Sequence, residues 1–319
     1  MRLLFWGTPE FATPSLLALL GEGFDVAGVV TQPDKPQGRS RSRLVASPVK
    51  EIATAEKIPV LQPARASNPD FLADIRALRP DASIVVAYGH ILTADVIAVP
   101  SRGTFNVHAS LLPALRGAAP IQAAIRQGLG ETGISVMRVV PALDAGPVIL
   151  RIATPIAPEE TYGELALRLS ELGAQALIEA LVLVEIGKAR ESPQDDALAT
   201  YAPKLERGAV PVDWTQPATD VARLIRAVDP RPGAVTTGPA GSVKLYGAQL
   251  LDASEGAPHE REPAPAPGVV LGIGDDGMAV ACGHGAIRIA QVQPAGRPLM
   301  SASDWARGRG IAASQRLGR

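Results

Sequence analysis

The stretch Gly103-Thr104-Phe105-Asn106-Val107-His108-Ala109-Ser110-Leu111-Leu112-Pro113 carries the reading of the fold. Residues 103–108 are strand-like, and the proline-stiffened run behind them ends the strand in a loop. On a strand, side chains two apart share a face, so Asn106 and His108 project together while Phe105 and Val107 point the other way. Taken alone, an Asn-x-His pair is more often a structural hydrogen-bonded pair. Its place at the carboxyl end of a strand, with a stiff loop following, is where open α/β sheets bind ligands. An asparagine amide donates to a developing oxyanion, and a histidine donates a hydrogen bond or accepts a proton near neutral pH. The pair suits acyl-type transfer.

Outward from this stretch, short apolar runs alternate with amphipathic segments. Residues 3–6, 26–30, 60–61 and 83–87 read as strands, and 13–20, 48–57 and 69–78 as helices. On the other side come a helix at 119–127, strands at 133–140 and 148–154, and a long amphipathic helix at 161–186. In the last, Leu165, Leu169, Leu172, Leu177 and Leu181 recur at roughly helical spacing. This α/β alternation predicts a Rossmann-like, mostly parallel sheet in a domain spanning residues 1–188. The polar, proline-bearing stretch 189–208 reads as a linker. Beyond it, a helix near 218–228 and short strands at 234–237, 242–251, 269–273, 278–282 and 286–293 predict a small OB-like β-barrel over 209–319. Residues 253–267, rich in proline, alanine and glutamate, read as a loop.

A chain of 319 residues with 46% hydrophobic and 20% charged side chains suits two globular domains and argues against wholesale disorder. The single cysteine, Cys282, has no partner for an internal disulfide or a thiolate metal site, so a reducing cytoplasm is the expected compartment. His90, His259 and His284 show no metal-ligand spacing, and no metal is expected. The apolar start reaches Gly7-Thr8-Pro9 far short of the ~20 residues a membrane span needs, so no membrane role is expected. That first turn lacks G-x-G-x-x-G, which disfavours a dinucleotide site. Ser110 lies outside any G-x-S-x-G elbow, which sets serine nucleophile chemistry aside.

Asp144, in the loop 141–147 after the next strand, is the leading carboxylate to hold His108 in one tautomer, because adjoining strand ends would bring the two together. A formal net charge of -1 offers nucleic acid no global attraction. A local one is present: Lys35, Arg39, Arg41 and Arg43 follow Asp34 with no further acid. This loop reads either as a solvated surface or as a footprint for phosphates.

The 103–113 stretch, continuing through Arg116-Gly117-Ala118-Ala119-Pro120-Ile121, resembles the signature of the folate-dependent formyltransferases. Gly7-Thr8-Pro9-Glu10-Phe11, Thr31-Gln32-Pro33-Asp34, Val86-Ala87-Tyr88-Gly89 and Thr161-Tyr162-Gly163-Glu164-Leu165 support it. The arginine loop, Thr200-Tyr201-Ala202-Pro203-Lys204-Leu205, Val212-Asp213-Trp214 and Gln293-Pro294-Ala295-Gly296 are similar to the branch that formylates methionyl-tRNA. The resemblance implies transfer of a formyl group from 10-formyltetrahydrofolate to the α-amino group of methionine on initiator tRNA. It makes Asn106, His108 and Asp144 the catalytic residues. It lays the folate along Ser110, Leu111, Leu112 and Pro113, with Tyr88, Gly89, His90, Ile91, Leu92 and Val140 lining a pteridine pocket. Arg39, Arg41, Arg43 and Lys204 would face the tRNA. A cytoplasmic monomer is expected. Trp6 departs from the family pattern, which favours a small residue before Gly7, and Ala142 and Ala145 replace a glycine and a threonine beside Asp144. Two other readings stay open: formylation of a small amine, and an RNA-binding protein with an inactive folate site.

Overall fold

The computed structural model describes residues 1–37, 43–205, 208–251 and 265–318. The chain forms two compact units. The first consists of Met1–Pro120, Glu131–Pro155 and Ala166–Lys204, and the second of Ile121–Gly130, Ile156–Leu165 and Leu205–Arg319.

The first unit opens with β1 (Arg2–Gly7), α1 (Thr13–Gly21), β2 (Asp25–Val30) and a short hairpin of β3 (Lys35–Gln37) and β4 (Arg43–Val45). There follow α2 (Pro48–Ala55), β5 (Val60–Leu61), α3 (Pro69–Ala77), β6 (Ala82–Val86), α4 (Ala94–Ile97), β7 (Thr104–His108) and β8 (Arg116–Gly117). Then come β9 (Glu131–Arg138), β10 (Val148–Pro155), α6 (Tyr162–Glu185), whose first turn belongs to the second unit, and β11 (Tyr201–Ala202), while α5 (Pro120–Gln127) falls in the second unit from Ile121 on. Seven strands form one sheet in the order β10-β9-β7-β6-β1-β2-β5. The five from β7 to β5 are parallel, whereas β9 runs antiparallel to β7 and β10 antiparallel to β9. The sheet is therefore mostly parallel, as the alternation predicts.

Leu3, Leu4, Phe5 and Trp6 are all fully buried, the signature of a parallel strand covered on both faces. Ser47 and Asn68 start α2 and α3 by accepting from the backbone N–H groups of Lys50 and Asp70, with Pro48 and Pro69 at the first helical positions. The family departure at Trp6 has a packing explanation. Its indole meets Phe71 and Tyr88 edge to face, with ring centroids 5.7 and 5.2 Å away, and its Nε1 donates to Ser83 Oγ at 3.3 Å. Phe71, Ile75, Tyr88, Leu92 and Val96 enclose it.

The second unit contains β12 (Val210–Pro211), α7 (Ala218–Ala227), β13 (Ala234–Gly238), β14 (Gly241–Leu250), β15 (Val270–Gly274), β16 (Gly277–Ala281), β17 (Ala286–Pro294), β18 (Met300–Ser301) and α8 (Ala302–Arg307). Its strands pair in the order β12-β13-β14-β17-β16-β15, with β18 on β17. The strand-rich domain expected from the sequence is present. The described pairings form an open path, and closure into a barrel is not among them. Its core joins Trp214, Val221 and Ile225 to Leu245, Ile287, Ile289 and Trp305, and buried Cys282 belongs to it. Burial pushes the Cys282 thiol up to about 12, so it stays protonated and unreactive. Within this unit the family-like run at 161–165 is a capping box. Glu164 Oε2 accepts from Thr161 N at 2.9 Å, and Thr161 Oγ1 accepts from Glu164 N at 3.4 Å.

Trp6→Ala should cost about 3–5 kcal/mol of unfolding free energy, the range for emptying a large aromatic site in a packed core. Urea titration checks this, and a loss under about 1 kcal/mol would contradict the enclosure of the ring.

Candidate active site

The two faces of β7 separate packing from chemistry. A Cβ at Gly173 of α6 would stand 3.1 Å from Val107 Cγ1, so Val107 packs on that helix. By alternation, Asn106 and His108 lie on the opposite face. His108 is buried, and its Nε2 lies 3.0 Å from the carbonyl oxygen of Leu115. A carbonyl only accepts, so Nε2 carries the hydrogen. The other ring nitrogen, Nδ1, faces Asp144 Oδ2 at 3.8 Å. Asn106 is half-buried, and among the described residues its side-chain amide has no hydrogen-bond partner. One imidazole is thus anchored, and one amide is uncommitted beside it.

Two parts of the sequence reasoning about Asp144 change. The backbone carbonyl of Leu115 holds the histidine tautomer, and Asp144 Oδ2 instead accepts from Gly117 N at 2.8 Å. The route by which Asp144 arrives differs too. Because β9 is antiparallel to β7, its last residue, Arg138, stands beside Phe105 and not beside His108. The loop 139–147 must double back. Val139 N donates to Thr104 O at 2.8 Å and Arg138 N to Pro147 O at 2.9 Å. At Gly146 a Cβ would lie 1.8 Å from Arg138 O, which only glycine permits. Asp144 itself has φ +47, the left-handed region that aspartate tolerates better than most residues.

The loop after β7 is held by its own atoms and by side chains of β9 and β10. Ser110 Oγ donates to Ala114 O at 2.6 Å. Ser135 Oγ donates to Ser110 O at 2.7 Å and accepts from Leu112 N at 3.0 Å. Arg151 Nε donates to Leu112 O at 2.8 Å. Leu112 packs with Met137 and Val148. Ser110 and Leu112 therefore stiffen the wall from inside, while Leu111 and Pro113 remain half-buried at its surface.

Tyr88 and Leu92 likewise belong to the Trp6 core, so their side chains support the next loop from beneath. The Tyr88 carbonyl accepts from Gln32 Nε2 at 2.9 Å and Thr8 Oγ1 at 3.2 Å. Gly89, His90 and Ile91 are exposed, Ile91 at 80%, an apolar side chain left open at a strand end. Val140 is half-buried and Lys204 is exposed. Arg39, Arg41 and the Arg43 side chain lie outside the described residues. The backbone of Arg43 pairs with Gln37, the pair of the β3–β4 hairpin next to residues 38–42.

Sequence reasoning missed the residues that fix Leu115. Thr200 Oγ1 accepts from Leu115 N at 2.9 Å, and Thr200 O accepts from Arg116 N at 2.8 Å. The parallel pairing of β8 with β11 continues the contact. Residues 192–202, read as linker for their polarity, bond to the loops that carry Leu115 and Asp144. The β-prone pair Thr200-Tyr201 was the available signal.

An uncommitted amide, an anchored imidazole and a carboxylate together at the carboxyl end of a parallel sheet suit transfer at an acyl carbon. The Formyl transferase family model matches residues 1–181, and the Formyl transferase, C-terminal domain model matches residues 204–310. Methionyl-tRNA formyltransferase of Moorella thermoacetica is 43% identical over 100% of this chain and 99% of its own. That of Pseudomonas putida is 44% identical over 95% of this chain and 94% of its own. The chain belongs to the formyl transferase family and, within it, to the methionyl-tRNA formyltransferases. Among solved structures, HypX from Aquifex aeolicus in complex with tetrahydrofolic acid superposes with a TM-score of 0.63 at 19% identity, over 95% of this chain and 46% of that one, a likeness of fold. Among the described residues, no group of three His, Cys, Asp or Glu side chains is placed to hold a metal ion, and no helix is long and apolar enough to cross a membrane.

Gly117 has φ +119, and a Cβ there would meet Ala202 O at 2.6 Å. Gly117→Ala should therefore cost about 2–3 kcal/mol in denaturant unfolding and slow turnover, because its N–H also anchors Asp144. An alanine variant as stable as the parent would contradict this reading of the turn.

Proposed function

We propose that this protein transfers the formyl group of 10-formyltetrahydrofolate to the α-amino group of methionine on initiator tRNA. The observation that carries the proposal is the pairing of an anchored His108 with the uncommitted Asn106 amide and the Asp144 carboxylate at 3.8 Å. The full-length relatives named methionyl-tRNA formyltransferase support it.

The amine nitrogen attacks the formyl carbon, and the carbonyl electron pair moves onto oxygen. The uncommitted Asn106 amide donates to that oxyanion, and His108 does so from Nδ1 when that nitrogen also carries a proton, its Nε2–H being held by the Leu115 carbonyl. Asp144 draws the proton from the attacking amine. As the tetrahedral species collapses, the bond from carbon to the folate N10 breaks and the proton passes to that nitrogen, so one C–N bond replaces another. The folate donor lies along the rigid wall at Leu111 and Pro113, with Val140 and the exposed loop Gly89-His90-Ile91 bordering the pteridine. Ser110, Leu112, Tyr88 and Leu92 act from behind this wall. The internal bonding of residues 110–114 suits a preformed surface that loses little entropy on binding.

Arg39, Arg41 and Arg43 meet tRNA phosphates, and Lys204 lies along the path of the RNA. The domain division at 189–208, action as a monomer and residence in the cytoplasm with the translation machinery belong to the same proposal.

Purified protein incubated with 10-formyltetrahydrofolate and methionylated initiator tRNA should yield formylmethionyl-tRNA, and Asn106→Ala and His108→Ala should each lower kcat by ~10² to 10³. Turnover near that of the parent in both variants, or formylation of small amines alone, would overturn the assignment. Replacing Arg39, Arg41 and Arg43 by alanine should raise KM for the charged tRNA. It should also flatten the dependence of log affinity on log salt by about 0.9 for each arginine that meets a phosphate. Folate affinity should not change, and an unaltered salt slope would remove these arginines from the RNA contact.

A further inference from the structure

One side chain joins the two loops that meet at His108. Gln194 Nε2 donates to the carbonyl oxygens of Asp144 and Gly146 at 2.8 and 2.7 Å. Its Oε1 accepts from Arg116 Nε and Nη2 at 3.1 and 2.9 Å. Arg116 is buried, follows directly on the Leu115 that anchors the imidazole, and pairs with Asp196 at 2.7 Å. Both ends of the Gln194 amide are thus committed, one to the loop of Asp144 and the other to the loop that holds His108.

The Asp144 loop needs such a tie. It doubles back from the wrong end of β9, and Asp144 sits at φ +47, a conformation that neighbouring contacts must enforce. The carboxylate has one further anchor, the N–H of Gly117, which belongs to the same loop as Arg116. Ser192 pairs with Val148 at the far end of the Asp144 loop, and Arg138 holds Glu191 at 2.9 Å, so the strap carrying Gln194 is itself fixed.

We infer that Gln194 is a positioning residue for formyl transfer: its amide bridges the Asp144 and Arg116 loops and holds the Asp144 carboxylate against the His108 ring. The inference rests on the function proposed above. Gln194 touches no reacting atom and acts through the separation of two groups that do. A displacement of about 1 Å at reacting groups can cost 10²-fold in rate, so loss of the tie should be felt in kcat and not in binding.

The experiment compares the parent with Gln194→Leu, Gln194→Glu, Asp195→Ala and His108→Ala, all full-length. Gln194→Leu removes both arms. Gln194→Glu keeps the acceptor for Arg116 and loses the donors to Asp144 and Gly146. Asp195 only caps the local turn at 196–198. Both Gln194 variants should lower kcat by about 10- to 100-fold, with KM for methionyl-tRNA and for 10-formyltetrahydrofolate within about twofold of the parent. Asp195→Ala should match the parent. In parallel, 15N spectra of histidine-labelled protein, which has four histidines, should show the Nδ1 resonance missing in His108→Ala displaced in both Gln194 variants.

Parent-like kcat in both Gln194 variants, an effect confined to KM, or an unmoved His108 resonance would overturn the inference. Where Gln194→Leu does not fold, Gln194→Glu carries the decision. Failure of the functional reading looks different: the parent would not formylate, or His108→Ala would stay active, and the ring resonance would still decide whether Gln194 sets the geometry.

Discussion

The hydrogen bond from His108 Nε2 to the Leu115 carbonyl sets the task for the surrounding chain. It uses one side of a buried imidazole and leaves the other facing Asp144. A backbone carbonyl can do this only if the backbone stays where it is. Leu115 has φ +59, so the conformation is unfavourable in isolation and depends on neighbours. Those neighbours are remote in sequence. Thr200 fixes Leu115 and Arg116, β11 pairs with β8, and Gln194 links Arg116 to the loop of Asp144. The site is two loops laid over the end of a rigid sheet and bound together by a third segment.

This arrangement gives the site its chemical character. Along residues 110–114 the polar groups are taken up by bonds within the loop and to Ser135. Where the proposed function puts the substrates, groups stay open, as at the Asn106 amide and at Ile91. The Asn106 amide is half-buried and has no partner among the described residues, so it is free to donate to a group that arrives there. Preorganised donors of this kind need no rearrangement as charge develops on the substrate oxygen.

Much of this was legible in the sequence because local rules govern it. The continuous apolar runs at residues 3–6 and 26–30 could only be strands covered on both faces, and alternation put Asn106 and His108 on one face of β7. The reversed direction of β9 was not legible, since a strand reads alike in either direction. Asp144 was therefore rightly paired with His108 for a mistaken topological reason. The bonds of residues 192–202 to Leu115, Arg116 and the Asp144 loop were not legible, because polarity and proline content say nothing of contacts that span about 50 to 85 residues of sequence. Tyr88 and Leu112 show the same limit, because family resemblance places them at a pocket without telling a lining side chain from one that supports it.

The central claim is that the Asp144 charge acts on the reacting groups. Asp144→Asn tests it most directly, because the amide oxygen can still accept from Gly117 N while the negative charge is gone. Single-turnover formyl transfer from 10-formyltetrahydrofolate to methionylated initiator tRNA, at saturating protein, isolates the chemical step. The account predicts a rate lower by ~10² to 10⁴ with both substrates still bound as tightly as by the parent. A rate within about twofold of the parent would show that the charge plays no part in the transfer.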